Sequence, residues 1–451
     1  MENNIINNLD QEIEVNKTIE KKKPKSKKSK ILIALLTSFC LVAVFLGGFF
    51  TRYFTENKSA RLLNEILNLI ENHSVLTEDL KPETIADLVV NGTVAPFDDY
   101  AEYYSPEEYA IKLNEGKGNY NGHGLYVYIA DNVIYKSLFN SPSYNSGLRK
   151  GDRLISGKID GEDNYSTFTV GENIGDISIG DFFAKVTLNK KIYLMAEQNG
   201  QIKEFSFVTK TYKQSYVEYF DNQIFAYFYS EDSNLKLTQK MDNKMNFLDS
   251  STAYISLSSF EGDAANQLGE LLNLMKSRNK SKLIFDLRDN GGGYMTTLCD
   301  VGAYLIKGGQ EKNPIIAISK GKSINETYRI SEKKNIELDK ICVIANENTA
   351  SASECLLGAM LYYKDSATEQ FTKSNLILTK NTKRNNFSTF GKGIMQQTFS
   401  LFSGGALKLT TAKIYQPDGV TCIHGVGIEQ DITKNCVENS LALNRAKEIL
   451  A

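Results

Sequence analysis

Asn348-Thr-Ala-Ser-Ala-Ser-Glu354 lies between an apolar run, Ile341 to Ala345, and a helix-like run, Cys355 to Tyr363, and its reading decides the fold. A strand that ends in a small-residue turn and restarts as a helix sets the turn's side chain at the helix N-terminus. Free backbone N–H groups and the positive end of the helix dipole gather there. An oxyanion is stabilised at such a point, and Ser351 in this setting resembles a nucleophile elbow. Read alone, the plainer account makes Thr349, Ser351 or Ser353 an ordinary N-cap. The rest of the chain decides between the two.

Working outward, the preceding block alternates strand and helix patterns. Ala253 to Leu257 is strand-like, and Asp263 can cap a helix whose Ala265, Leu268, Leu271, Leu272 and Met275 share one face. Lys282 to Arg288 then reads as a buried strand, so the unit is a right-handed parallel crossover. That strand runs into Asp289-Asn-Gly-Gly-Gly293 and a helical run from Tyr294 to Ile306. Glycines directly after a parallel strand let backbone approach a ligand, and open α/β sheets bind ligands at the carboxyl ends of their strands. The glycine loop and Ser351 are therefore expected to line one crevice.

A nucleophilic serine needs a base, and the chain has only three histidines, His73, His123 and His424. His123 reads as a turn residue, and a His424 base lacks an evident partner arrangement. The other option is a desolvated lysine, whose ammonium burial disfavours. Gly391-Lys-Gly393, just before Ile394-Met-Gln-Gln-Thr-Phe399, offers Lys392, although a lone Gly-Lys-Gly is ordinarily a solvated turn. There is no His-Glu-x-x-His helix and no Cys-x-x-Cys pair, and Gly321-Lys-Ser323 has Ile316 where a phosphate-binding loop needs its first glycine. No metal or other cofactor is called for.

The length of 451 residues implies two or three domains plus extensions, and 41% hydrophobic with 24% charged residues is ordinary for globular protein. Residues 1–30 read as a disordered basic tail holding eight lysines, which leaves the remainder mildly acidic and argues against a nucleic-acid surface. Ile31 to Phe50 is uncharged and, as a helix, long enough to span a bilayer. The lysines before it predict a single-pass anchor with a cytoplasmic N-terminus and extracytoplasmic domains, rather than a cleaved signal peptide. Residues 51–118 read as a helical module for packing or homo-oligomer formation, with no chemistry of its own. Cys299, Cys342 and Cys355 read as core residues, while a Cys422–Cys436 pair stays open.

From Tyr120 the period shifts toward two: Gly122 to Ile129 reads as a glycine turn entering a strand, Val133 to Tyr135 as its partner, and Ala184 to Leu188, Lys191 to Ala196 and Lys203 to Thr209 as further strands. The run SGLRKGDRLISGKIDG (146–161) resembles the helix-turn-strand signature of PDZ domains, with Lys150 where proline is usual. The resemblance makes 119–212 a PDZ domain in which Gly124, Leu125 and Tyr126 offer amides to a peptide's terminal carboxylate. Residues 213–250 show little pattern beyond a possible strand at Ile224 to Tyr229.

The ordered suite YISLSSF, LIFDLRDNGGG, TASASE, FGKGIMQ, LKLTTAKIYQPDG and IHGVGIEQDI, behind the PDZ-like stretch, resembles the C-terminal processing peptidases, or tail-specific serine proteases. What the resemblance implies is an α/β, crotonase/ClpP-like protease core over 213–451 with an inserted or preceding β-rich PDZ domain. It implies Ser351 as nucleophile, Lys392 as general base and Gln396 as the residue orienting it. The oxyanion would meet the amides of Ala352 and Gly292. Polypeptides with unstructured apolar C-termini are the implied substrates. The stretch from Ser351 to Lys392 carries a polar insertion, KDSATEQFTKSNLILTKNTKRNNFS, in place of a short strand and turn. A catalytically inactive PDZ-containing scaffold of the same fold is the alternative, against which the intact Ser351, Lys392 and Gln396 speak.

Overall fold

The computed structural model describes residues 60, 89–94, 96–139, 141–170, 175–228, 234–239, 248–308, 311–334, 336–364, 371–380, 387–430 and 435–451. The basic tail, the 31–50 anchor and the helical patterns before 89 lie outside them. Among the described residues no helix is long and apolar enough to cross a membrane.

Residues 85–451 form one compact unit around an eight-stranded sheet. Its order is Leu235–Gln239, Ile224–Phe228, Val217–Phe220, Thr252–Leu257, Lys282–Asp286, Lys340–Ala345, Leu376–Thr379 and Cys436–Val437. The first three strands join antiparallel and the rest are parallel, in register Ile255 to Phe285 to Val343. Side chains alternate across such a sheet. Ile255, Leu283, Phe285, Ile341 and Val343 therefore face the helices Ala264–Ser277, Met295–Leu305 and Ala352–Tyr363. Tyr254, Ile284, Cys342, Ile344 and Ile377 face Ala442, Ala446 and Leu450 of the C-terminal helix. Both faces are covered, which is why these strands read as unbroken apolar runs.

Two regions expected to lack pattern contribute to this sheet. The 213–250 connection supplies three antiparallel strands, and the polar insertion holds a fully buried strand, Leu376–Thr379. Three apolar residues and a threonine, flanked by Asn and Lys, give too little periodicity to be read, yet parallel pairing with Val343–Ala345 buries all four.

A second sheet packs beside the first, with strands Glu102–Tyr104, Ala406–Tyr415, Ile315–Gly321 and Asn325–Arg329 in order and Ile394–Ser400 paired to Ala406–Tyr415. Its first strand corrects the reading of 51–118 as wholly helical. Glu102 to Tyr104 pair with Lys408 to Ala406, and Asp98 accepts from the Thr410 N–H at 2.7 Å and hydroxyl at 2.9 Å. The helix Pro106–Gly116 follows, opened by a Ser105–Glu108 capping box.

Residues 119–213 form a β-rich module with its own core of Leu125, Ile134, Leu148, Leu154, Phe168, Phe182, Ile192, Leu194, Phe205 and Phe207. Gly122 and Gly124, at φ 110° and 80°, break the expected Gly122–Ile129 strand into Asn119–Gly122 and Leu125–Val127. Lys191–Gln198 and Gln201–Val208 are strands, as expected. Ala184 to Leu188 is not: Ser178 accepts the Asp181 N–H at 3.1 Å and starts a short helix that runs to Ala184.

Candidate active site

The turn after Lys340–Ala345 is built by side chains bonding to backbone. Thr349 Oγ1 accepts the Asn346 N–H at 2.9 Å and donates to the Leu287 carbonyl at 2.8 Å. Asn346 Oδ1 accepts the N–H groups of Asp289 at 3.0 Å and Asn348 at 3.1 Å. On the glycine-loop side the buried Asn290 gives its carbonyl to the Ala350 N–H and the Ser353 hydroxyl, each at 3.0 Å, and its amide to Leu257 at 2.9 Å. The serine turn and the glycine loop are thus stitched together, as the parallel-strand reading requires.

Ser351 stands at the start of its helix with φ 57° and ψ −117°, a conformation that costs a non-glycine residue energy and persists only where surroundings enforce it. The following Ala352 N–H, the first of the helix, has no partner among the described residues. Gly292, at φ 101°, lies directly opposite. A Cβ there would come within 2.8 Å of Ser351 Cβ and 2.9 Å of the Ala352 nitrogen, so glycine is required. The Gly292 N–H itself donates to Asn290 Oδ1 at 2.9 Å and is not a vacant donor.

Glu354 is the organising residue that the sequence reading passed over. It is fully buried and accepts four hydrogen bonds: from the N–H groups of Ser351 (2.8 Å), Gly391 (2.7 Å) and Lys392 (2.9 Å), and from the Thr389 hydroxyl (2.6 Å). Burial pushes its carboxyl upward while these bonds oppose the shift. One carboxylate therefore fixes the lysine loop against the serine turn. Its position on the first helical turn, three residues after Ser351, is the signature of a capping box, the one signal that pointed to it.

The two glycines around Lys392 make its approach possible. Gly391 has φ 89°, and a Cβ on Gly393 would meet the His424 nitrogen at 2.5 Å. Lys392 Nζ lies 4.9 Å from the centre of the Tyr100 ring and has no carboxylate partner among the described residues. Burial first, and the nearby Lys408 second, push its ammonium below the ordinary lysine range, against an opposing pull from Glu354. Tyr100 and Asp98 thus bring chemistry to a segment expected to have none. Gln396 donates to Thr410 Oγ1 at 3.1 Å, no hydrogen bond among the described residues joins it to Lys392, and Asp98 fixes Thr410 in turn.

Ser351, Lys392, Gln396 and Gly292 line one cleft of about 790 Å³, although no hydrogen bond joins Ser351 to Lys392. Its far wall comes from the β-rich module through Tyr120, Tyr126, Tyr135 and Lys136. Of the three residues expected to hold a peptide terminus, Tyr126 reaches the cleft, Leu125 is buried and Gly124 is pressed against Ser141. The Leu125 N–H is already taken by His123 Nδ1 at 3.0 Å, so that amide is not on offer. His123 stacks on Phe183 and burial lowers its pKa to about 4, which fits a neutral turn residue. His424 is exposed and does not line the cleft. Cys422 and Cys436 are both free thiols. A serine beside a vacant helix amide and a half-buried, unpaired lysine is chemically equipped for acyl transfer.

The model of peptidase family S41 matches residues 251–367 and 365–434. A protein of Staphylococcus aureus named probable CtpA-like serine protease is 24% identical over 378 residues, covering 81% of this chain and 64% of that protein. One of the same name from Staphylococcus haemolyticus is 23% identical, covering 77% and 59%. The chain therefore spans less than two thirds of these relatives. The solved photosystem II D1 C-terminal processing protease aligns over 85% of this chain and 90% of its own at 16% identity, with a TM-score of 0.49, too loose a likeness to bear on any residue's role. The family match begins one residue before the central strand Thr252–Leu257 and takes in the glycine loop, the serine turn and the lysine loop, so the part of this chain that builds the site is similar to peptidase family S41.

Proposed function

We propose that the chain is a membrane-anchored serine endopeptidase that cuts exported polypeptides near unstructured, apolar C-termini, with Ser351 as nucleophile and Lys392 as base. The observation that carries this is the pairing in one cleft of a strained serine with a lysine that burial drives toward the neutral form. Neutral Lys392 takes the Ser351 proton as the oxygen attacks a peptide carbonyl, and returns it to the departing amine. Water then resolves the acyl-enzyme. The Ala352 N–H is available for the oxyanion, and the Gly292 N–H joins it when the substrate oxygen replaces Asn290 Oδ1. Gln396, tied to Thr410, confines the approach to Lys392 from the side of Asp98.

We read the β-rich module as a PDZ domain whose Tyr126 side of the cleft receives the substrate tail, with residues 31–50 holding the assembly on the outer face of the cell membrane. The domain boundaries at 118 and 212 belong to the same reading. The test compares the full-length chain in mild detergent with its Ser351→Ala and Lys392→Met forms on an unstructured protein with an apolar C-terminus, the fragments being identified by mass spectrometry. Cleavage that vanishes in both variants supports the dyad. Cleavage retained by Lys392→Met removes Lys392 as base, and a wild-type chain that binds the tail without cutting it favours a peptide-binding scaffold.

A further inference from the structure

Among the described residues a single ion pair joins the β-rich module to the rest of the unit: Lys150 Nζ lies 2.6 Å from Asp289 Oδ2. Both ends are held for this contact. Lys150 projects from a tight turn in which the Arg149 N–H bonds Asp152 at 2.8 Å, Gly151 adopts φ 94°, and Leu148 is fully buried. Asp289 takes φ 61°, an uncommon state for a residue with a side chain. Its Oδ1 accepts the side-chain amides of Asn346 at 3.0 Å and Asn348 at 2.8 Å, and its N–H donates to Asn346 Oδ1 at 3.0 Å. Asn346 and Asn348 belong to the turn that presents Ser351, and Asp289 directly precedes Asn290 of the glycine loop. Asp289 is therefore the peg on which both walls of the oxyanion site hang, and its remaining oxygen goes to the module across the cleft.

We infer that Lys150 is a positioning residue for the Ser351 site, acting through Asp289 to hold the glycine loop against the serine turn. The inference rests on the reading of Ser351 as nucleophile, and it deepens that reading by naming the residue through which the module acts on it. Both side chains are partly exposed, 53% for Lys150 and 36% for Asp289, so the effect on the loop is a few-fold shift in population. Lys150 stands where the PDZ pattern has proline, which offers no charge to Asp289, so this coupling is a feature of this chain.

The test uses the full-length chain in mild detergent with Lys150→Met, Lys150→Arg, Asp289→Asn and the Lys150→Met/Asp289→Asn double variant. Hydrogen exchange of a peptide spanning 287–293 reads the pinning without any need for activity. The rate of Ser351 labelling by a small fluorophosphonate, split into affinity and maximal rate, reads its consequence. We expect Lys150→Met to speed exchange and to lower the maximal labelling rate two- to fivefold at an unchanged thermal midpoint. Lys150→Arg restores both, and the double variant is no worse than Asp289→Asn alone. Wild-type exchange and labelling in Lys150→Met, or single effects that multiply in the double variant, overturns the inference. A wild-type chain that the probe never labels brings down the nucleophile reading instead, while the exchange result still decides the bridge.

Discussion

The two walls of the cleft are held in opposite ways. On the core side, Ser351, Gly292 and Lys392 sit on three loops joined by buried bonds through Asn290, Thr349 and Glu354, each of which is fully shielded from water. On the module side, Tyr126 and Tyr135 are exposed, Phe139 leans edge-on against Phe225 and Tyr227, and one partly exposed ion pair makes the electrostatic link. Bonds in a low dielectric are strong and costly to break singly, whereas exposed pairs are weak and screened. The wall proposed to do the chemistry is thereby rigid, and the wall proposed to receive the substrate tail is adjustable.

The sharpest way to break this comparison is Glu354→Ala. It strands the N–H groups of Ser351, Gly391 and Lys392 without their buried acceptor, and we expect about 3 to 5 kcal/mol of destabilisation together with total loss of cleavage. Denaturant unfolding and fragment analysis measure both. An enzyme that tolerates the change would show that the core wall is no stiffer than the module. Gly292→Ala comes next: its Cβ collides with Ser351 Cβ and the Ala352 nitrogen at a positive φ, and we expect activity to fall at least a hundredfold for a loss of about 1 to 3 kcal/mol in stability.

The module has its own acid sensitivity. His123 has a folded pKa of about 4 against an ordinary 6.5, so the unfolded chain binds the extra proton between those values. Stability contributed there is present above pH 6.5 and is lost as the pH falls toward 4, up to about 3 kcal/mol. His123→Asn keeps an acceptor for the Leu125 N–H without titrating, and its thermal midpoint should vary less across that window than that of the wild type. The smallest effect is expected at Lys408, whose charge helps depress Lys392 and which is itself paired with Glu102. Lys408→Gln lets Lys392 hold its proton to higher pH, so the rising limb of the cleavage rate against pH moves to the alkaline side. A limb that stays in place would separate Lys408 from the base.

Much of the core wall was legible because it rests on local chemistry. An apolar run ending in Thr-Ala-Ser-Ala-Ser and a second ending in Asp-Asn-Gly-Gly-Gly specify parallel strands with tight turns at their carboxyl ends, and the glycines around Lys392 mark a close backbone approach. Leu376–Thr379 was lost because pairing buries four residues that give no period of their own. The His123 to Leu125 bond was lost because a turn can satisfy an amide that a strand would have left free.

The sequence by itself determined the two strand–turn–helix units that carry the glycine loop and Ser351, and the residue types able to do chemistry, since these follow from periodicity and backbone preference within a few residues. Only the tertiary structure decided that Glu354 binds two loops at once, that Tyr100 from an upstream segment meets Lys392, that Gly292 spends its N–H on Asn290, and that Lys150 reaches Asp289. Each of these joins positions that chain order leaves unconnected, or chooses among several bonds a group can make, and that choice is settled by which partners packing brings within hydrogen-bond distance.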